Sequence, residues 1–144
     1  MVDYESKKLA NCFIQPFSQK IQIPSDIFHE IQPIGKNIVA VIPGESKKLT
    51  FFLTNADKVL FIKLILDKSS LNEVFFTSLR ETMLALKMEN LFSTGVCFKE
   101  EICVWEGVFE YDKEGLLNTE EIEKKFSDVL HVNKIKMTRI ELDK

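Results

Sequence analysis

The sequence has little of what enzyme chemistry usually draws on. Its 144 residues hold only two histidines, His29 and His131, and neither belongs to a motif with a nucleophile, a carboxylate pair or a second metal ligand. The five glycines stand singly at 35, 44, 95, 107 and 115, which excludes the clustered glycines of a phosphate-binding loop or a dinucleotide-binding turn. These absences make catalysis the less expected class and give no ground for a cofactor or a resident metal. Long apolar runs are also missing. The longest, Val59-Leu60-Phe61-Ile62-Lys63-Leu64-Ile65-Leu66, is interrupted by Lys63 and falls well short of the roughly 20 residues that span a bilayer. The first eight residues, Met1 to Lys8, lack the basic stretch followed by an apolar one that marks a secretory leader. The reading is of a cytoplasmic protein with no membrane partner.

Neither charge sign dominates. Lys and Arg total 19 against 22 Asp and Glu, a net charge of −3, so no broad basic field favours nucleic acid or an anionic surface. Cysteine is scarce: Cys12, Cys97 and Cys103 are an odd number, which suits a reducing compartment better than a disulfide framework. What is present in quantity is apolar mass. At 45% hydrophobic residues with twelve Phe, the chain can bury a substantial core. It contains no internal repeat and no low-complexity segment.

Three stretches follow along the chain. Residues 1–18 read as an extension, with Pro16 breaking any regular pattern after Cys12-Phe13-Ile14. Residues 19–56 read as β-rich. Lys20 to Pro24 alternates as a short strand, Ser25 or Asp26 caps a helical turn through Ile27, Phe28 and Ile31, and Gly35 marks a turn. Strands Ile38 to Ile42 and Leu49 to Leu53 come next, bounded by Pro43-Gly44 and Thr54 to Asp57.

Residues 57–144 carry the clearest order. The Val59 to Leu66 run leads into a helix in which Ser70 and Glu73 form a capping box. Leu71, Val74, Phe75, Leu79, Met83 and Leu86 repeat at helical spacing, and the helix is expected to end near Asn90. Phe92 to Phe98 and Ile102 to Tyr111 are rich in β-branched and aromatic residues around a charged turn, Lys99-Glu100-Glu101, and Gly107 reads as a bulge. Asn118 or Thr119 caps a second helix with Ile122, Phe126, Val129 and Leu130 on its apolar side. The last strand, Lys134 to Leu142, changes phase, with Ile135 and Met137 on one parity and Ile140 and Leu142 on the other. Either a bulge lies near Thr138 or the two ends of this strand face different surroundings, as a dimer contact would require. The sum is βαββαβ, the ferredoxin-like order, with two helices on one face of an antiparallel sheet.

The candidate sites are few. Cys97 and Cys103 face each other if the hairpin turns at Glu100, which suits a redox pair or two metal ligands; small apolar strand residues are the plainer reading. An RNA-recognition domain shares the βαββαβ order, but Glu106 and Glu110 beside Trp105 repel phosphates. The loop Asp67-Lys68-Ser69-Ser70 has the clearest binding potential, because a helix N-terminus offers free amide donors to an anion.

From Lys58 to Leu142, about three-fifths of the chain, the pattern resembles an ACT or ACT-like regulatory domain. The residues that carry the likeness are the Val59 to Leu66 strand, Asp67 at its end, the helix from Leu71, and Asn90 to Cys97 followed by a charged hairpin. The resemblance implies a non-catalytic module that dimerises and binds an amino acid near the first strand-to-helix loop, with Asp67, Ser69, Ser70 and Asn72 as ligand-binding candidates. Lys68-Ser69 stands where such domains often carry Pro-Gly. Residues 20–54 faintly resemble the swapped-hairpin modules of AbrB-like transcription factors, in Ile23-Pro24-Ser25-Asp26-Ile27, Ile34-Gly35 and Ile38 to Val41. That likeness implies Lys20, Lys36, Lys47 and Lys48 as DNA-binding candidates, a thin set with no Arg.

The expectation is therefore an α+β protein: a β-rich N-terminal segment and a ferredoxin-like domain. It is read as a non-enzymatic regulatory homodimer that senses a small ligand or binds a protein partner. A DNA-binding regulator and an enzyme on the same fold are the alternatives.

Overall fold

A computed structural model of the chain describes residues 10–42, 44, 47–68, 70–98, 101–110 and 118–142. Residues 1–9 of the extension, Pro43, Ser69, Lys99, Glu100 and Tyr111, to which the sequence reading assigned roles, lie outside them. The chain divides into two compact units, Met1–Asn55 and Ala56–Lys144.

In the first unit the expected strand at Lys20 to Pro24 does not form. Its place is taken by a side-chain clasp: Gln15 Nε2 donates to the Gln22 carbonyl at 2.7 Å, and the Gln22 amide donates to Gln15 Oε1 at 3.0 Å. One amide side chain thus supplies both bonds that a neighbouring strand would supply. Helix α1, Ser25–Ile31, starts from Pro24 and has no side-chain cap, so neither Ser25 nor Asp26 plays that part. A 3-10 turn, Gln32–Ile34, leads to Gly35 and the antiparallel hairpin of β1, Asn37–Val41, and β2, Thr50–Thr54, paired from Asn37 with Thr54 to Val41 with Thr50. Gly35 is extended, and its role is close approach: a Cβ there would lie 2.6 Å from the Thr54 backbone nitrogen.

The second unit is the ferredoxin-like domain. Its elements are β3, Lys58–Leu66; α2, Glu73–Leu86; β4, Glu89–Phe98; β5, Ile102–Glu110; α3, Thr119–Ser127; and β6, Val132–Glu141. The four strands form one antiparallel sheet in the order β4-β5-β3-β6. The period-2 alternation of the strands separates two faces. Leu60, Ile62, Leu64 and Leu66 of β3 and Cys103, Trp105 and Phe109 of β5 point to the helices and join Phe75, Leu79 and Leu86 of α2 and Ile122 and Phe126 of α3 in one core. Phe109 sits at its centre, with ring centroids 5.9 Å from Trp105 and 5.5 Å from Phe126.

Three local expectations are corrected. Asn72, not Ser70, caps α2: its Oδ1 accepts from the Phe75 amide at 3.1 Å. The helix ends at Leu86 rather than near Asn90, because Lys87 turns into the left-handed region at φ 54° and the Met88 amide reaches back to the Met83 carbonyl. Gly107 is no bulge; it pairs in register with Ile62 and Ser93. Its missing side chain makes room for rings, since a Cβ would lie 2.3 Å from the Trp105 ring and 2.9 Å from that of Phe109. The irregularities fall elsewhere, at Leu91 in β4 and at Asn133 in β6. Asn118 does cap α3, accepting from the Glu121 amide at 2.8 Å.

Candidate functional site

Two regions can carry function: the loop that joins β3 to α2, and the sheet face without helices. The loop is stitched to the turn before β6. The Asp67 amide donates to the His131 carbonyl at 3.2 Å, and the Asp67 carboxylate accepts from Asn133 Nδ2. Asn133 reaches it because it is the extra residue of the β6 bulge, which re-aims its side chain. Sequence reading missed Asn133. Ser70 is buried, its amide bonded to the Asp67 carbonyl at 3.2 Å and its hydroxyl to the Lys68 carbonyl at 3.4 Å. Asn72 is engaged in capping. Of the expected ligand residues the structure brings Asp67, Ser70 and Asn72 into one loop, and the polar groups named here serve to build it.

The AbrB-like lysines are not brought together. Lys36 precedes β1 at the end of the hairpin where Asn37 meets Thr54, whereas Lys47 and Lys48 precede β2 at the opposite end, where Thr50 meets Val41. Four residue steps of strand, about 13 Å, separate those ends. Lys20 lies before α1, outside the hairpin.

The helix-free face of the four-stranded sheet is assembled in rows by the pairing register. Phe98 faces Ile102; Val96, Val104, Ile65 and Lys134 form the next row; Thr94, Glu106, Lys63 and Lys136 the third; Phe92, Val108, Phe61 and Thr138 the fourth. Beyond them lie Glu89, Glu110, Val59 and Ile140. Most of these positions are apolar, and Val96 is 51%, Phe98 56%, Ile102 40% and Ile140 49% exposed, whereas Val59, Val108 and Glu110 are buried. The ion pair between Lys63 Nζ and Glu106 Oε1, at 3.6 Å, stands in the middle. A shallow depression of about 150 Å³ opens beside it, lined by Lys63, Thr94, Val96, Phe98, Val104 and Glu106.

This face also resolves the phase change in β6. Pairing with β3 runs unbroken from Lys134 to Glu141, so no bulge lies near Thr138. Ile135 and Met137 turn to the core, while Ile140 lies on the helix-free face.

Cys97 and Cys103 are opposed across the β4–β5 hairpin, as the turn position implied, and they are joined in a disulfide. The expectation of unpaired, reduced cysteines is corrected there, and in this state neither sulfur is a thiolate that could bind a metal. Cys12 is exposed and free. Trp105 is a core residue. Among the described residues no group of three His, Cys, Asp or Glu side chains is gathered as metal ligands, and no helix is long and apolar enough to cross a membrane.

No protein-family profile matches the chain, and no curated protein is significantly similar to it. Among solved structures, the C-terminal domain of MgtC from Mycobacterium tuberculosis superposes at a TM-score of 0.49 with 6% identity, over 62% of this chain and 95% of that one. A structure of the chemotaxis kinase CheA P2 domain in complex with the response regulator CheY, from Thermotoga maritima, gives 0.43 and 16%, over 58% and 98%. The uncharacterised protein TM1266 from Thermotoga maritima gives 0.39 and 12%, over 60% and 99%. At such identities and scores these likenesses say nothing of what this chain binds.

Proposed function

We propose that this protein is a non-catalytic regulatory interaction module that works as a homodimer, and that the helix-free face of its sheet is the surface it uses. The observation that carries the reading is the row of exposed Val96, Phe98 and Ile102 on one side of the sheet. Side chains of this kind, contiguous at one end of the face, mark an interaction surface rather than scattered surface residues. The outward parity of Ile140 at the end of β6 adds to it, because an apolar residue so placed contributes nothing to the core beneath. The α+β scaffold and the ACT-like order fit a module of this class, and the ACT assignment itself stays part of the proposal. The ligand-sensing form of the reading is not adopted, since Ser70 and Asn72 are engaged in forming the loop and capping the helix.

Sedimentation velocity of the full chain over a range of concentrations tests the proposal. A shift from monomer to dimer as concentration rises is expected. A single monomeric species throughout the range would sink the dimeric reading.

A further inference from the structure

We propose that the Cys97–Cys103 disulfide is a redox switch at the tip of the β4–β5 hairpin, opened and closed by thiol exchange at Cys97 while the fold stays intact. It stands on the helix side of the sheet, and its chemistry does not depend on self-association.

The place of the bond in the ladder makes it dispensable to the fold. The two cysteines are register partners one rung before the closing pair, Phe98 with Ile102, and the Glu101 amide donates to the Phe98 carbonyl at 3.2 Å in the turn beyond. Their Cα atoms are 3.9 Å apart, nearer the roughly 4.5 Å of a rung without mutual hydrogen bonds than the roughly 5.5 Å of a bonded one. Opening the disulfide therefore removes no ladder bond, and the rungs on either side, Val96 with Val104 and Phe98 with Ile102, remain. The cysteines are only six residues apart, and strand pairing already closes that loop, so the bond removes less chain entropy than a long-range staple would.

The two sulfurs differ in access. Cys103 is 1% exposed and belongs to the core, level with Leu66 of β3, whereas Cys97 is exposed on the edge strand β4. A thiolate attacking Cys97 arrives from the open edge of the sheet. One attacking Cys103 would have to pass through packed side chains. With a dithiol as reductant, one thiolate sulfur bonds to Cys97 Sγ and the Cys97–Cys103 bond breaks, its electron pair leaving on Cys103 Sγ. Cys103 takes up a proton and stays in the core as a neutral thiol. The second sulfur of the dithiol, deprotonated, then displaces Cys97, which is protonated in turn. The cysteine pair has gained two electrons and two protons, and the dithiol has become a disulfide.

An odd cysteine count beside an ample core suits a reducing compartment, where lasting structural disulfides are rare and those that form are mostly transient or redox-sensing. A bond that opens and closes reconciles that expectation with the disulfide. Closed, it ties the tip of the hairpin; open, it leaves Phe98 and Ile102 held only by their own rung and the turn. Both residues belong to the surface proposed above, so the redox state reaches that surface, and this consequence alone rests on the interaction reading.

The test uses the full chain carrying Cys12→Ser, which removes the one free cysteine. Equilibration in mixtures of reduced and oxidised dithiothreitol, quenched by alkylation and read by mass, is expected to show reversible passage between disulfide and dithiol in the folded protein. With Cys103→Ala added, oxidised glutathione is expected to leave a mixed disulfide on Cys97. With Cys97→Ala instead, Cys103 is expected to react at least about tenfold more slowly. Reduction of the Cys12→Ser chain is expected to quicken amide exchange at Phe98 and Ile102 by about tenfold, while Leu60 to Leu64 of β3 stay within about twofold. A bond that opens only when the chain is denatured, equal reaction at the two sulfurs, or exchange at the tip unchanged by reduction would each overturn the switch.

Discussion

At the scale of single residues, Gly107 shows how closely the core is fitted. It lies mid-strand in β5, where glycine is normally a weakness, yet two buried rings occupy the space its side chain would need. Gly107→Ala is predicted to destabilise the domain by about 3 kcal/mol, the upper end for overpacking, because the ring of Trp105 is itself buried and has nowhere to move. Urea denaturation would show this as a lower midpoint with an unchanged slope. The sequence exposed the glycine but not its reason, since an isolated glycine in a strand reads equally well as a bulge. Ser70 and Asn72 make the same point. Both are good capping types, and Ser70 with Glu73 completes the better local pattern, but Ser70 is committed to the turn after Asp67, which leaves Asn72 at the cap. Facing of Cys97 and Cys103 was legible from the turn position; their oxidation was not, because spacing carries no information about redox state.

At the scale of elements, existence and order could be read directly, while ends and irregularities could not. The helical spacing of Phe75, Leu79 and Leu86 identified α2, yet the chain offers no glycine at its end to stop the reading. Lys87 takes the left-handed conformation without glycine's freedom, at a cost of about 1 kcal/mol. Lys87→Gly is therefore predicted to raise unfolding stability by about 1 kcal/mol, measured by denaturant titration; a loss of stability would show that the Lys87 side chain supplies more than its backbone strain removes. In β6 the change of apolar parity was visible and left two explanations open. The unbroken register beyond Lys134 removes the bulge near Thr138 and leaves a strand that serves two surfaces. The bulge that does exist, at Asn133, has no sequence signal of its own, because an asparagine after a helix looks like any turn residue.

At the scale of the whole molecule, the βαββαβ order emerged from hydrophobic periodicity because each element of the second unit has one strongly apolar side. The N-terminal unit was less legible. Its Lys20 to Pro24 stretch alternates like a strand but pairs with a glutamine side chain instead, a contact that no pattern reveals. Function was the least legible, since this fold hosts many activities and the distinguishing feature is a surface assembled from four separated strands. The central claim is that this surface holds two copies together. It is tested most directly by sedimentation of the Val96→Lys, Phe98→Lys double variant beside the wild type, with melting temperatures measured in parallel. Both positions are more than half exposed, so the substitutions leave the core intact. The account predicts a dimeric wild type and a variant that is folded, equally heat-stable at low concentration, and monomeric. A variant that dimerises as tightly as the wild type would contradict it.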